Sequence, residues 1–120
     1  MHELSVMMGI IKIVGEFAKE NRVVAIETLV LQIGELSDVI PRYIEEIYPV
    51  AIAGTILDGS SLKIERLPGN ALCKDCGNVF NLLANNLVCP LCKAENWEIQ
   101  SGKEFYIKEI VCRQNDESAR

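Results

Sequence analysis

The sequence predicts an α+β protein: a small three-stranded mixed sheet carrying two helices, with a metal-ribbon module inserted before the last strand. Three observations predict it. Apolar residues recur at spacings of three and four near residues 3–21 and 41–52. β-Branched, alternating runs occupy 23–35, 61–67 and 103–112. Between the last two runs lie two Cys-x-x-Cys pairs in a segment with few core-forming residues.

The first helix runs from Glu3 to about Asn21, with Leu4, Met7, Met8, Ile11, Val14, Phe17 and Ala18 as its apolar stripe. Asn21 is its C-terminal stop. In the strand that follows, Leu29, Leu31 and Ile33 alternate with Thr28, Val30 and Gln32, the pattern of a strand covered on both faces. Gly34 ends it. Ser37 or Asp38 is positioned to cap the second helix, with Pro41 in its first turn. Ile44, Ile47, Tyr48, Ala51 and Ile52 form its apolar side, and Pro49 predicts a kink or an early end. Ser61 to Leu67 is the second strand, and Pro68-Gly69-Asn70 marks a module boundary. Residues 1–70 with 103–120 therefore form one unit and residues 71–102 the inserted ribbon. Residues 103–112 return as the third strand.

The chain has 120 residues, a formal net charge of −5 and 49% hydrophobic residues, enough for a compact core. The acidic balance argues against non-specific nucleic-acid binding, which requires a basic surface to displace counterions. Lys12 and Glu16 interrupt the N-terminal apolar stretch, so no secretory leader and no membrane span are expected. Five cysteines, four of them in close pairs, point to metal thiolates in a reducing cytoplasm rather than to disulfides.

The pairs are Cys73-Lys-Asp-Cys76 and Cys89-Pro-Leu-Cys92. Two residues between cysteines let one tight turn aim both sulfurs at a single ion, and two such knuckles complete a tetrahedron suited to Zn(II). Gly77 follows the first knuckle, where a positive φ is wanted, and Asn85-Asn86 turns the chain between the knuckles. Four thiolates leave no open coordination position, so the zinc is expected to be structural and the protein not an enzyme. Rubredoxin iron shares this tetrahedron, but only Phe80 and Trp97 lie near enough to supply an aromatic core of that kind. Cys112 reads as a packed strand residue.

The single histidine is His2. With Met1 retained, the α-amine, the backbone amide nitrogens of His2 and Glu3, and the imidazole can close adjoining chelate rings in one plane. That donor set favours Ni(II) or Cu(II).

Met-His-Glu at the start, Ile33-Gly34-Glu35-Leu36-Ser37 after a strand, and two late Cys-x-x-Cys pairs together resemble the HypA/HybF hydrogenase nickel-insertion accessory proteins. The resemblance covers essentially the whole chain. It implies a nickel metallochaperone, with Met1, His2 and Glu3 taking Ni(II) as cargo and Cys73, Cys76, Cys89 and Cys92 holding zinc. It further implies two partners, a hydrogenase-maturation GTPase and the immature hydrogenase large subunit, and for some members a role in urease maturation. Some members carry a further acidic residue near the nickel. Asp38 stands in a different register and is left outside the site. A zinc-ribbon interaction module without a nickel role is the alternative reading.

Overall fold

A computed structural model describes residues 3–114 of the chain. Element order is α1 (Glu3–Glu20), β1 (Val23–Gly34), α2 (Pro41–Ile52), β2 (Ser61–Leu67), β3 (Asn70–Cys73), β4 (Val79–Asn81), β5 (Trp97–Ile99) and β6 (Phe105–Gln114), with one 3-10 turn at Leu83–Asn85. β1 is the central strand of the first sheet, parallel to β2 and antiparallel to β6. The second sheet is an antiparallel meander with β3 between β4 and β5.

Both helices cover one face of the first sheet. Met7, Ile10, Val14 and Ala18 of α1 and Ile44, Tyr48 and Ile52 of α2 pack on Ile26, Leu29, Leu31 and Ile33 of β1. The α2 face matches its predicted stripe. The α1 stripe is rotated: Ile10 is buried, whereas Leu4 and Met8 are 58% and 57% exposed and Phe17 also faces outward. Apolar residues surround so much of α1 that spacing alone admits two overlapping stripes, and the packing partner selects one.

The end of α1 lies where Asn21 predicts it, whereas the start of α2 departs from expectation. α1 stops where Arg22 adopts a left-handed φ of 55°, with the Asn21 side chain donating to the Phe17 carbonyl at 2.9 Å. α2 begins after Ile40 without any side-chain cap from its own end. The Ser37 hydroxyl instead accepts the Val39 N–H at 3.1 Å, and Asp38 is exposed. The Ile40 N–H goes to the Glu3 carboxylate at 3.3 Å. α2 passes through Pro49 and ends three residues later; Pro49 lies on the exposed side, where the missing amide leaves a carbonyl that water can reach.

The second sheet joins the first at three glycines. Gly34, Gly69 and Gly102 approach so closely that a β-carbon on Gly34 would overlap the Gly102 carbonyl, and one on Gly102 would lie 2.5 Å from the Gly69 Cα. Leu36 N–H donates to the Gly102 carbonyl at 2.7 Å, and Glu35 N–H to the Leu67 carbonyl at 2.8 Å. The Glu35 carboxylate accepts the Gly69 N–H at 2.7 Å and the Asn81 amide at 3.0 Å, tying β1 to both ends of the ribbon's first hairpin. Ala71, Phe80 and Leu82 give the ribbon a small core of its own, packed with Cys73 and Cys89.

Candidate metal centre

Each cysteine pair sits on a turn built the same way. In the first, Gly77 N–H donates to the Cys73 carbonyl at 2.8 Å and Cys73 N–H to the Asn78 carbonyl at 2.8 Å. In the second, Lys93 N–H donates to the Cys89 carbonyl at 2.9 Å and Cys89 N–H to the Ala94 carbonyl at 3.0 Å. Both turns need a left-handed residue after the second cysteine: Gly77 has φ 79° and Lys93 has φ 65°. Glycine takes that conformation freely, while lysine is held there by the two flanking bonds. Asn86, also left-handed at φ 54°, reverses the chain between the knuckles.

The turns bring all four sulfurs within 4.8 Å of one another. Cys73 and Cys92 Sγ are 3.5 Å apart, and Cys76 and Cys89 Sγ are 3.6 Å apart. These are far beyond a disulfide bond of about 2.0 Å. They are close to the edge of roughly 3.8 Å expected for a tetrahedron of sulfurs about 2.3 Å from a zinc ion. Cys73 and Cys89 are buried, whereas Cys76 and Cys92 are exposed. One side of the cluster therefore rests on the ribbon core and the other faces solvent.

The thiols perturb one another. Cys89 is held down to about 6, chiefly by the Cys92 N–H and then, against its burial, by the Leu91 N–H and the Cys76 and Asn78 side chains. Cys92 is pushed up to about 12: the Ala94 N–H favours its thiolate, but the bond with Cys73, burial, and Cys76 and Cys89 together outweigh it. Cys76 also lies above its ordinary value, although the Asn78 N–H opposes the shift. Four thiols cannot all ionise at this spacing without a cation, so the cluster titrates as a unit and a divalent ion is the natural counter-charge.

Around the cluster, Asn78 Nδ2 lies 3.8 Å from Cys89 Sγ, and the Trp97 indole N–H donates to the Leu87 carbonyl at 2.8 Å. Trp97 also pairs with Cys73 across the ribbon sheet. The sequence marks Trp97 only as an aromatic residue near the cysteines and does not mark Asn78, because neither carries a spacing signal for these contacts.

Of the N-terminal candidates, Met1 and His2 lie outside the described residues. Glu3 is the first residue of α1 and only 7% exposed, its side chain engaged with Ile40. As the opening residue of a helix, its backbone N–H has no intrahelical acceptor. Asp38 sits in a cleft with Leu36, Ser37 and Lys103. Cys112 is half-buried against the main core and distant in role from the four clustered cysteines. No helix among the described residues is long and apolar enough to cross a membrane.

Comparison with known proteins agrees with this arrangement. The family model described as "Hydrogenase/urease nickel incorporation, metallochaperone, hypA" matches residues 1–112. The hydrogenase maturation factor HypA of Geobacter sulfurreducens is 36% identical over 110 residues, spanning 92% of this chain and 97% of that protein. That of Trichodesmium erythraeum is 37% identical over 110 residues, 92% of this chain and 94% of its own. The solution structure of the nickel metallochaperone HypA from Helicobacter pylori superposes with a TM-score of 0.65 at 28% identity, covering 96% of this chain and all of that one. A match along nearly the whole length, N-terminus and both knuckles included, means that this chain belongs to the HypA family of nickel-incorporation metallochaperones.

Proposed function

We propose that the chain binds one Ni(II) at Met1, His2 and Glu3, delivers it during assembly of the [NiFe] hydrogenase centre, and holds a structural Zn(II) at Cys73, Cys76, Cys89 and Cys92. The observation that carries this reading is the family match beginning at residue 1, so that it includes Met-His-Glu. Residues 1–70 with 103–120 form the nickel-bearing unit and residues 71–102 the zinc ribbon.

Glu3 contributes through its backbone nitrogen. The carboxylate already accepts the Ile40 N–H, which supports a ligand role for the amide rather than the side chain. Nitrogen donors in a plane suit Ni(II), and the metal displaces protons from amine, amides and imidazole. Binding therefore weakens in acid, below the ordinary imidazole pKa of about 6.5. The zinc ion neutralises the four-sulfur cluster and completes the ribbon's small core, with no open position for catalysis. The partners are the maturation GTPase and the hydrogenase large-subunit precursor, met in the cytoplasm.

The test is a Ni(II) titration of zinc-loaded protein with a native N-terminus, by calorimetry and visible absorption. His2→Ala and a one-residue N-terminal extension are titrated in parallel. Stoichiometric binding with a planar-nickel spectrum, lost in both variants, is the expected result. Equal binding in all three removes the N-terminal site and leaves a zinc-ribbon interaction module.

A further inference from the structure

Among the described residues, the sheet order β2-β1-β6 leaves one side of β6 without a neighbouring strand. An open edge presents unpaired backbone groups, so it is protected or it is used. From Phe105 to Cys112 the strand alternates half-buried and exposed, except that Lys108 and Glu109 are both exposed. The pattern reads the same in either direction.

A β-bulge causes this. Leu31 of β1 pairs with Ile107 and Val30 with Glu109, so Lys108 is the extra residue. Beyond the bulge the facing is reset: Phe105, Ile107, Ile110 and Cys112 all pack toward the helical core.

The palindrome has a consequence for self-pairing. When two copies of an edge strand pair antiparallel about a two-fold axis normal to the sheet, directly opposite residues share a face. In a regular strand the axis must pass beside one residue, which then meets its own copy. Here it can pass between Lys108 and Glu109. Lys108 then faces Glu109 of the second copy, and Glu104 faces Arg113 of the second copy. Between these charge pairs, Ile107 meets Ile110 on the core side, Phe105 meets Cys112, and Tyr106 meets Val111 on the outer face. A shift of one residue either way sets Lys108 against Lys108, or Glu109 against Glu109, and puts core-side residues opposite outer ones. Cross-strand pairs of opposite charge and apolar pairs stabilise, while like charges directly opposed destabilise.

The helix beside this edge is open in the same place. Val6, Gly9, Ile10 and Ile13 of α1 form a groove of about 370 Å³ with Phe105 and Ile107. Nothing lies within 4 Å of where a Gly9 side chain would begin. The groove's floor is the stretch of β6 that Ile110 and Cys112 of a second copy would approach.

We infer that β6 is a self-association edge: two copies pair antiparallel through β6, centred between Lys108 and Glu109, and each closes the other's α1 groove. Lys108 donates to Glu65 of β2 at 2.8 Å on the outer face, a contact that its ammonium exchanges for Glu109 of the second copy on pairing.

Sedimentation equilibrium of the zinc-loaded full chain tests this with four samples: wild type, Lys108→Glu, Glu109→Lys, and an equimolar mixture of the two variants. Wild type is expected at twice the chain mass, and each variant alone at the chain mass, because each places like charges across the axis. The mixture is expected to recover the doubled mass, since the reversed charges complement one another. A wild type that stays monomeric, variants that associate like wild type, or a mixture that does not recover association would each overturn the proposal.

Discussion

Gly34 and Gly102 meet backbone to backbone at the junction of the two sheets, leaving no room for a β-carbon on Gly34. Gly102 has φ 107°, which side chains rarely adopt, and its carbonyl accepts the Leu36 N–H at 2.7 Å. Gly34→Ala must therefore displace the chain that leads out of the ribbon. The expected cost is about 2–3 kcal/mol, the upper range for overpacking. Gly15, by contrast, has nothing within 4 Å of its missing β-carbon, so Gly15→Ala should gain about 0.5–1 kcal/mol from helix propensity. Denaturant unfolding of the zinc-loaded variants checks both signs. A Gly34→Ala protein as stable as wild type would refute the close approach.

The Glu35 carboxyl is held below its ordinary value of 4.5, first by the Gly69 N–H and then by the Asn81 amide, with Arg66 helping and burial opposing. A depressed carboxylate stabilises the fold above its unfolded pKa, and that contribution is lost as pH falls through the folded pKa. Glu35→Gln should therefore be less stable than wild type at neutral pH, with the gap closing below pH 4.5. Following the two proteins' denaturation midpoints with pH, zinc in excess, measures this. A gap that stays constant in acid would show that shape, not charge, links Glu35 to the ribbon.

Gly77 and Lys93 hold equivalent places in the two knuckles, both left-handed. Gly77→Ala should cost about 1–2 kcal/mol, because a β-carbon is disfavoured there. Lys93→Gly should relieve the same strain and leave stability unchanged or higher by up to about 1 kcal/mol, once the added freedom of the unfolded chain is set against it. Thermal unfolding with zinc bound reads both. If Lys93→Gly loosens the ribbon as much as Gly77→Ala does, the equivalence of the turns is wrong.

Glu3 supplies the acceptor that α2 lacks from its own N-cap. Removing it in Glu3→Ala leaves the Ile40 N–H without that partner, at a cost of about 1–3 kcal/mol where water does not replace it. Nickel stoichiometry should be unchanged, because alanine retains the backbone nitrogen. Calorimetric titration separates the two roles, and loss of nickel binding with stability intact would make the carboxylate a ligand.

Local signals made some of the protein legible from its chain alone. Cys73, Cys76, Cys89 and Cys92 were readable because two residues between cysteines is a property of one turn, needing no distant contact. The α2 face at Ile44, Tyr48 and Ile52 was readable because period and burial coincide there. The strands at Val23–Gly34 and Ser61–Leu67 were readable because β-branched and alternating residues mark extended chain, although β1 buries Leu29, Val30 and Leu31 in succession. The family resemblance rested on three separated motifs and on no contact between them.

What only tertiary structure decided has one physical cause: it depends on residues far apart in sequence. Which side of α1 is buried depends on β1 and α2, so Ile10 went in and Met8 stayed out. Ser37 and Asp38 had the right chemistry for a helix cap, but Glu3, 37 residues away, took the Ile40 N–H. Gly34, Gly69 and Gly102 look like three unrelated breaks until the fold stacks them, and Glu35 looks like a surface charge until Gly69 and Asn81 arrive beside it. The bulge at Lys108 exists only in the register of β6 on β1, which no period within one strand encodes.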